Sequence, residues 1–419
     1  MIEFIIAGII IFGTIIFFLF RNKPEKEEKK KVKESKEEIK EIEKEIKKPE
    51  EKPSEDISQY LIKSIRDVKE LKRCYIFNNG HIILFCDNKK VGFCYLKHLN
   101  EKNTKILSKT IELDTITDIS FSEEKKIIIV STKNTKNILY YGFNFENGKN
   151  KIIKLEKAIS TERQFEINNV IISKDGNYIS TSGNAEDTEI QIYNSNSNKM
   201  IEKISTGSIR NKEMKMSPDD NYILISTFMN EISVIHFEKN DKFNNTTLQY
   251  EKIVKINRKK SISGIKNPIL AYEFSNDNRF FIISTEGKNI KIYQNYGEIS
   301  ESKVFQNFNI DFDCKVISLY IKSFFNGKIE GFFSVSKSND IYVYDTNGNL
   351  IKNLKNASDD EIIKLKFVKV DLSKNEENNL SEDIRNIDFN DKNDENGKIV
   401  LISASLDGRI KIWDLNLKE

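Results

Sequence analysis

The most constraining feature of this chain is a short pattern that recurs about every fifty residues. A polar turn leads into an apolar strand that ends in Ser or Thr. Ser173-Lys174-Asp175-Gly176-Asn177-Tyr178-Ile179-Ser180 is one copy, and Ser217-Pro218-Asp219-Asp220-Asn221-Tyr222-Ile223-Leu224-Ile225-Ser226 is a second. Ser275-Asn276-Asp277-Asn278-Arg279-Phe280-Phe281-Ile282-Ile283-Ser284 is a third, and Ser122-Glu123-Glu124-Lys125-Lys126-Ile127-Ile128 is a weaker fourth. Asp, Asn and Gly close such turns by side-chain hydrogen bonds or by adopting positive φ. A unit this small cannot bury its own faces, so the copies must stack on one another.

Each copy is followed by an alternating strand that closes on an aromatic residue. Ile190-Gln191-Ile192-Tyr193, Ile290-Lys291-Ile292-Tyr293, Ile341-Tyr342-Val343-Tyr344 and Ile410-Lys411-Ile412-Trp413 are the clear cases. Val234-Ile235-His236-Phe237, Ile138-Leu139-Tyr140-Tyr141 and Val91-Gly92-Phe93-Cys94-Tyr95 are looser. The closing aromatics fall at 95, 141, 193, 237, 293, 344 and 413, with gaps of 46, 52, 44, 56, 51 and 69. Seven copies at that spacing predict an all-β, seven-bladed β-propeller of four-stranded blades over residues 58–419. An insertion at 371–397 accounts for the long last gap. The sequence stops five residues after Asp414, so the last blade needs an outer strand from elsewhere. Tyr60-Leu61-Ile62-Lys63-Ser64-Ile65, before the first full copy, is the segment expected to fill it and close the ring.

One copy, Ser405-Leu406-Asp407-Gly408-Arg409-Ile410-Lys411-Ile412-Trp413-Asp414, resembles a WD40 repeat: Trp-Asp closes its third strand and Asp-Gly makes the preceding turn. The other copies carry Tyr-Asn, Tyr-Gln or Tyr-Asp at that place, and the Gly-His element of such repeats is missing. Gly80-His81 sits in a predicted turn and is read as chance. The resemblance therefore implies a hydrogen-bonded Asp-His-Ser-Trp network that is mostly absent here.

The N-terminus carries a different signal. Residues 4–20, FIIAGIIIFGTIIFFLF, are apolar except for Thr14, near the lower length limit for crossing a bilayer. In lipid such a segment must be a helix. It lacks the basic start and small-residue cleavage site of a signal peptide, so residues 1–20 are expected to be one uncleaved transmembrane helix. Residues 21–36 carry eight Lys and Arg side chains, whereas the residues before the apolar run carry none. The bulk of the chain is therefore expected on the cytosolic side. Residues 21–57 read as a charged, partly helical stalk, with thirteen basic and thirteen acidic side chains over 21–56, ended by Pro49 and Pro53.

An anchor, a Lys-rich stalk and a seven-bladed propeller together resemble the transducin beta-like protein 2 family of WD40 proteins. Arg210-Asn211-Lys212-Glu213-Met214-Lys215-Met216-Ser217-Pro218 and Phe274-Ser275-Asn276-Asp277-Asn278-Arg279 carry the resemblance best. It implies a non-enzymatic scaffold that recruits protein partners on the propeller faces, at the endoplasmic reticulum membrane, with a link to stress-response signalling. The competing reading is a membrane-bound propeller that catalyses nucleotide exchange on a vesicle-coat GTPase. A lumenal propeller hydrolase is disfavoured by the expected orientation and by the lack of a catalytic set.

No chemistry-bearing motif stands out. His81, His98 and His236 are scattered without metal spacing, and no Cys-x-x-Cys pair occurs, so no metal or cofactor is expected. Cys74, Cys86, Cys94 and Cys314 read as buried thiols. Gly142 to Gly148-Lys149-Asn150 has the wrong spacing for a phosphate-binding loop. Asp345-Thr346-Asn347-Gly348-Asn349 puts Gly at the wrong place for a calcium loop and reads as a hairpin turn. Lys+Arg 67 against Asp+Glu 64 leaves +3, which excludes a strongly basic nucleic-acid binder. The basic stretch around Arg258, Lys259 and Lys260 reads as a solvated loop, and no nucleic acid is expected as a partner. The insertion 371–397, with nine acidic and three basic residues, reads as a disordered linker.

Overall fold

Each copy of the repeat becomes one four-stranded antiparallel sheet, and there are seven. The computed structural model describes residues 57–417, apart from 77–81, 96–105, 111–114, 123, 134, 145–150, 164–165, 184–186, 207–210, 228–230, 245–248, 263–264, 295–302 and 371–397. Blades one to six span 73–110, 116–160, 167–205, 211–262, 269–309 and 317–354; blade seven combines 362–413 with 61–66. The fold is the expected all-β seven-bladed propeller. The expected transmembrane helix, the stalk and the acidic insertion lie outside the described residues. Among the described residues no helix is long and apolar enough to cross a membrane.

The composition of each strand follows its place in the blade. The second strands Tyr178–Gly183, Tyr222–Thr227 and Phe280–Thr285 are buried at every position, because a neighbouring blade covers each face. Their apolar residues are therefore consecutive rather than alternating, as in Tyr222 to Ile225 and Phe280 to Ile283, and the Ser and Thr residues that follow are buried with them. In the fourth strand Met200–Ser205 only Ile204 is buried. An outermost strand has one open edge and can carry charge. That explains a correction: Arg258, Lys259 and Lys260 are not in a loop but in the outermost strand of blade four, Gln249–Ile262. Arg258 pairs with Ile235 and Lys259 with Val234.

The turns between first and second strands share one device. In blade three Ser173 Oγ donates to Asp175 at 2.5 Å, the Asn177 amide donates to the same carboxylate at 3.0 Å, and the Tyr178 amide donates to Ser173 Oγ at 3.0 Å. Ser217, Asp219, Asn221 and Tyr222 repeat it in blade four, and Ser275, Asp277, Arg279 and Phe280 in blade five. The residue after each aspartate turns left-handed: Gly176, Asp220 and Asn278 have φ of 68°, 57° and 59°. These are residue types that tolerate that region.

Ring closure is as expected from the sequence. The strand Leu61–Arg66 is the outer strand of blade seven, with Leu61 opposite Trp413 and Ile65 opposite Ile410. The apolar core consists of seven clusters, each formed by two adjacent blades. Seven contacts among seven blades require a closed ring.

Trp413 is 1% exposed and its indole Nε1 donates to Ser403 Oγ at 2.8 Å. One hydroxyl–indole pair of the expected network therefore survives in the blade that kept its tryptophan. Asp407 organises the turn before it, accepting from Ser405 Oγ at 2.5 Å and the Arg409 amide at 2.9 Å. Gly408 there has φ +82°, and a Cβ on it would lie 2.1 Å from the Val68 carbonyl oxygen in the segment that follows the closing strand. Both the left-handed backbone and this close approach demand glycine. Gly408→Ala should lower stability by about 2 kcal/mol or more, read as a lower urea midpoint at unchanged slope.

Candidate functional site

Side chains from many blades can line one cavity only on the propeller axis. A cavity of about 190 Å³ is lined by residues of blades one, two, three, four, five and seven. A second, of about 630 Å³, shares Tyr75, Met214, Lys215 and Lys364 with it and is otherwise lined by residues before or at the starts of the innermost strands, with Asn88 and Leu406 from hairpin turns. The two border one another across these four shared residues along the axis, and are together called the axial channel, with the larger as its mouth.

The innermost strands supply the chemistry, and a shared irregularity sets their register. The ladder shifts between Ile116 and Asp118, Ile167 and Asn169, Asn211 and Glu213, Ile269 and Ala271, and Ile362 and Lys364. Such a bulge re-aims the residues after it. Asp118, Asn169, Glu213, Ala271 and Lys364 thus hold equivalent places, as do Ser120, Ile171, Lys215, Glu273 and Lys366 two residues on.

A charge cluster spans both levels. Glu273 of blade five accepts from Lys215 of blade four at 3.4 Å and from Lys364 and Lys366 of blade seven at 2.7 and 3.4 Å. The side chains of Glu273 and Lys366 are only 9% and 6% exposed. Burial by itself would raise the Glu273 carboxyl, but the three ammonium groups hold it well below the usual range. Lys366 is lowered, by burial first and by the like charges of Lys364 and Lys215, against the pull of Glu273. Lys215 is raised: burial opposes its charge, and Glu213 and Glu273 overcome it.

Across the channel sits a second network. Tyr75 donates to Asp118 Oδ1 at 2.8 Å, Arg73 lies 3.5 Å from that oxygen, and the Val170 amide donates to Oδ2 at 2.9 Å. Burial pushes the Asp118 carboxyl up to about 6 in spite of these partners. Three blades are tied together through this one side chain.

The motifs singled out in the sequence are elsewhere. Asp345 accepts from the Asn347 and Asn349 amides at 2.9 and 2.8 Å, so its carboxylate is used within its own hairpin turn. All four cysteines are free and buried. Burial pushes Cys74 and Cys94 up to about 12 and Cys314 up to about 11, far from thiolate chemistry at neutral pH. His236 stacks on Tyr222, and His81 and His98 lie outside the described residues. Among the described residues no three metal-capable side chains converge. The channel charges were not among the candidates. A signal for them existed: Lys215 and Glu273 each stand two residues before the serine of a recurring turn, where blade three has Ile171.

The family description WD domain, G-beta repeat matches residues 378–414, the span that ends on Trp413-Asp414. The chain carries a WD40 repeat. A comparison with curated protein sequences finds no match. Among solved structures, the beta-propeller domain of Cps50 (Swd1) from Myceliophteria thermophila matches over 85% of this chain and 99% of that one, with a TM-score of 0.54 and 10% sequence identity. That likeness is one of fold. With 1511 solved chains matching, the fold is too widely shared to carry a function, which must be argued from the site. The WD40 match covers the one blade that kept the Trp-Asp pair, while the channel residues lie mostly in blades whose signature has drifted.

Proposed function

We propose that this protein is a non-enzymatic scaffold whose WD40-bearing propeller recruits protein partners at the mouth of its axial channel. The observation that carries this reading is the 630 Å³ mouth itself, a concave space lined by charged side chains of several blades. Lys72, Arg73, Lys212, Lys315 and Lys364 alternate there with Glu70, Glu213 and Glu361. Closure of the ring makes such a surface rigid before binding, which lowers the ordering cost of association. WD40 propellers generally bind protein partners, which supports the same reading.

The finer reading places the scaffold on a membrane. It rests on the apolar run at 4–20 and its basic flank. The propeller then faces the cytosol, held at the endoplasmic reticulum, and acts in stress-response signalling as members of the resembled transducin beta-like protein 2 family would. Affinity purification from detergent-solubilised membranes should recover a defined set of proteins; an empty set would sink the scaffold reading. Replacing Ile10 and Ile11 by Arg should release the protein to alkaline extraction, since each central Arg costs about 2.5–3.5 kcal/mol on insertion. Asn356 begins an Asn-Ala-Ser sequon and is exposed on the propeller surface. A glycosidase-sensitive mass shift of the native protein would reverse the proposed orientation.

A further inference from the structure

The ring has two ends. The first and third strands of each blade run from the channel mouth to the end that carries the Ser-x-Asp turns, and the fourth strands start where the third strands finish. Among the described residues five large hydrophobic side chains are exposed: Ile201, Val304, Phe325, Leu350 and Ile351. All five lie at the turn end. Val304 stands opposite the closing aromatic Tyr293, and Leu350 opposite Tyr344, with Ile351 next to it. Ile201 follows Met200, which stands opposite Tyr193, and Phe325 is at the tip of the first hairpin of blade six. Single exposed apolar residues are ordinary on a protein surface; their collection at one end of a ring is a feature of that end.

The hairpin of blade six presents its aromatic rigidly. Its strands, Ile317–Phe325 and Lys328–Lys337, have nine and ten residues, against six in the first two strands of blades three, four and five. Asn326 and Gly327 close it as a two-residue turn with φ of 50° and 73°, the left-handed values that so tight a turn requires. Phe324 packs against Phe280 and Phe305 of blade five, with 5.3 and 6.0 Å between ring centroids. Successive strand residues point to opposite sides, so the contact that holds Phe324 down sends Phe325 outward, where it is 75% exposed. Charge adds little here, because Lys322 and Lys328 share the hairpin with Glu330. What this end offers is apolar area.

The path of the chain indicates what covers it. Ile57–Tyr60 leads into Leu61, which stands opposite Trp413, so the chain enters the propeller at this same end. Upstream lies the apolar run 4–20, and residues 21–56 separate it from the propeller. Those thirty-six residues span at most about 130 Å when fully extended. A tether of that length keeps the turn end at high local concentration beside a bilayer that holds the run, so a few apolar side chains suffice for contact. We propose that the turn end of the propeller lies against the bilayer surface, with Phe325 inserted at the boundary of headgroups and acyl chains. The inference rests on the membrane reading above and names the face that meets the lipid. The channel mouth, at the opposite end of the ring, is then turned away from the bilayer and open to partners.

The test reconstitutes the full-length protein into phosphatidylcholine vesicles, prepared with plain or with brominated acyl chains, which quench tryptophan on contact. Phe325→Trp puts a reporter at the hairpin tip, and Asp360→Trp puts one just before the first strand of blade seven, at the mouth end. Both positions are exposed, so neither variant threatens the fold. The wild type supplies the background from buried Trp413. Phe325→Trp should emit further to the blue in vesicles than in detergent-free buffer would be normal for an exposed indole, and should lose emission in brominated vesicles. Asp360→Trp should emit alike in both kinds of vesicle. Unquenched Phe325→Trp in protein that co-floats with the vesicles, or equal quenching at 325 and 360, sinks this inference alone. A blue shift without quenching does so too, and places a protein or a second copy on this face instead. Wild-type protein that does not co-float with the vesicles at all sinks the membrane reading and this inference together.

Discussion

A chain in which Leu61–Arg66 is replaced by six residues drawn from Gly, Ser and Pro should unfold at markedly lower urea, by about 5 kcal/mol or more. The replacement removes the outer strand of blade seven, whose backbone pairs with Arg409–Trp413. It also removes buried Ile65 and loosens Tyr60, whose carbonyl accepts from the Asp414 amide at 2.7 Å and whose hydroxyl accepts from Lys352 of blade six at 2.8 Å. Each such side chain contributes about 1.5–3 kcal/mol by burial, and proline denies the ladder its donors. Trp413 is the only tryptophan in the chain, so its emission reports on this seam alone. It should shift to the red before the rest of the ring melts. The exposed edge should also drive self-association. An unchanged midpoint with unchanged emission would mean that the last blade does not depend on this strand.

Glu273→Gln should cost about 3–5 kcal/mol at neutral pH, because it leaves three ammonium groups facing one another without their carboxylate. The effect has a defined pH dependence. The folded-state pKa of Glu273 is depressed well below the 4.5 of a free side chain. Its contribution is therefore present above that value and is lost as pH falls, since the unfolded chain takes up the proton first. The difference in stability between wild type and Glu273→Gln should shrink on acidification below about pH 4.5. Taking the difference removes the other carboxylates. Asp118 is the one that matters, because its pKa is raised to about 6 and its contribution falls as pH rises toward that value. A difference that stays constant down to pH 3 would show that the three lysines do not act on Glu273.

How much of this was legible beforehand depends on the range of the forces involved. Turn and strand signals are local. Ser-x-Asp turns, positive-φ Gly, Asn and Asp, and third strands closing on an aromatic were all readable, and the seven aromatics counted the blades correctly. The closing strand was readable too: the alternating segment before the first full copy belonged to no other blade, and it pairs with Arg409–Trp413. The basic stretch at 258–260 was misplaced as a loop because charge was taken to mark a loop, whereas the outermost strand of a blade has an open edge and can carry charge too.

That the channel charges meet was decided by tertiary structure. Lys215, Glu273 and Lys366 lie 58 and 93 residues apart from one another along the chain, and nothing local joins them. Lys215 and Lys366 alternate with Glu213 and Lys364 in their strands and Glu273 stands alone in its own, patterns that usually mark a face turned to water. Only closure of seven blades about one axis turns those faces inward and lowers the dielectric around them, so that the charges act on each other. The sequence by itself determined the repeat, its count and the strand that closes it, because those follow from local backbone chemistry and from the need to bury every face. Which side chains meet on the axis, and therefore what the channel can bind, follows from the ring.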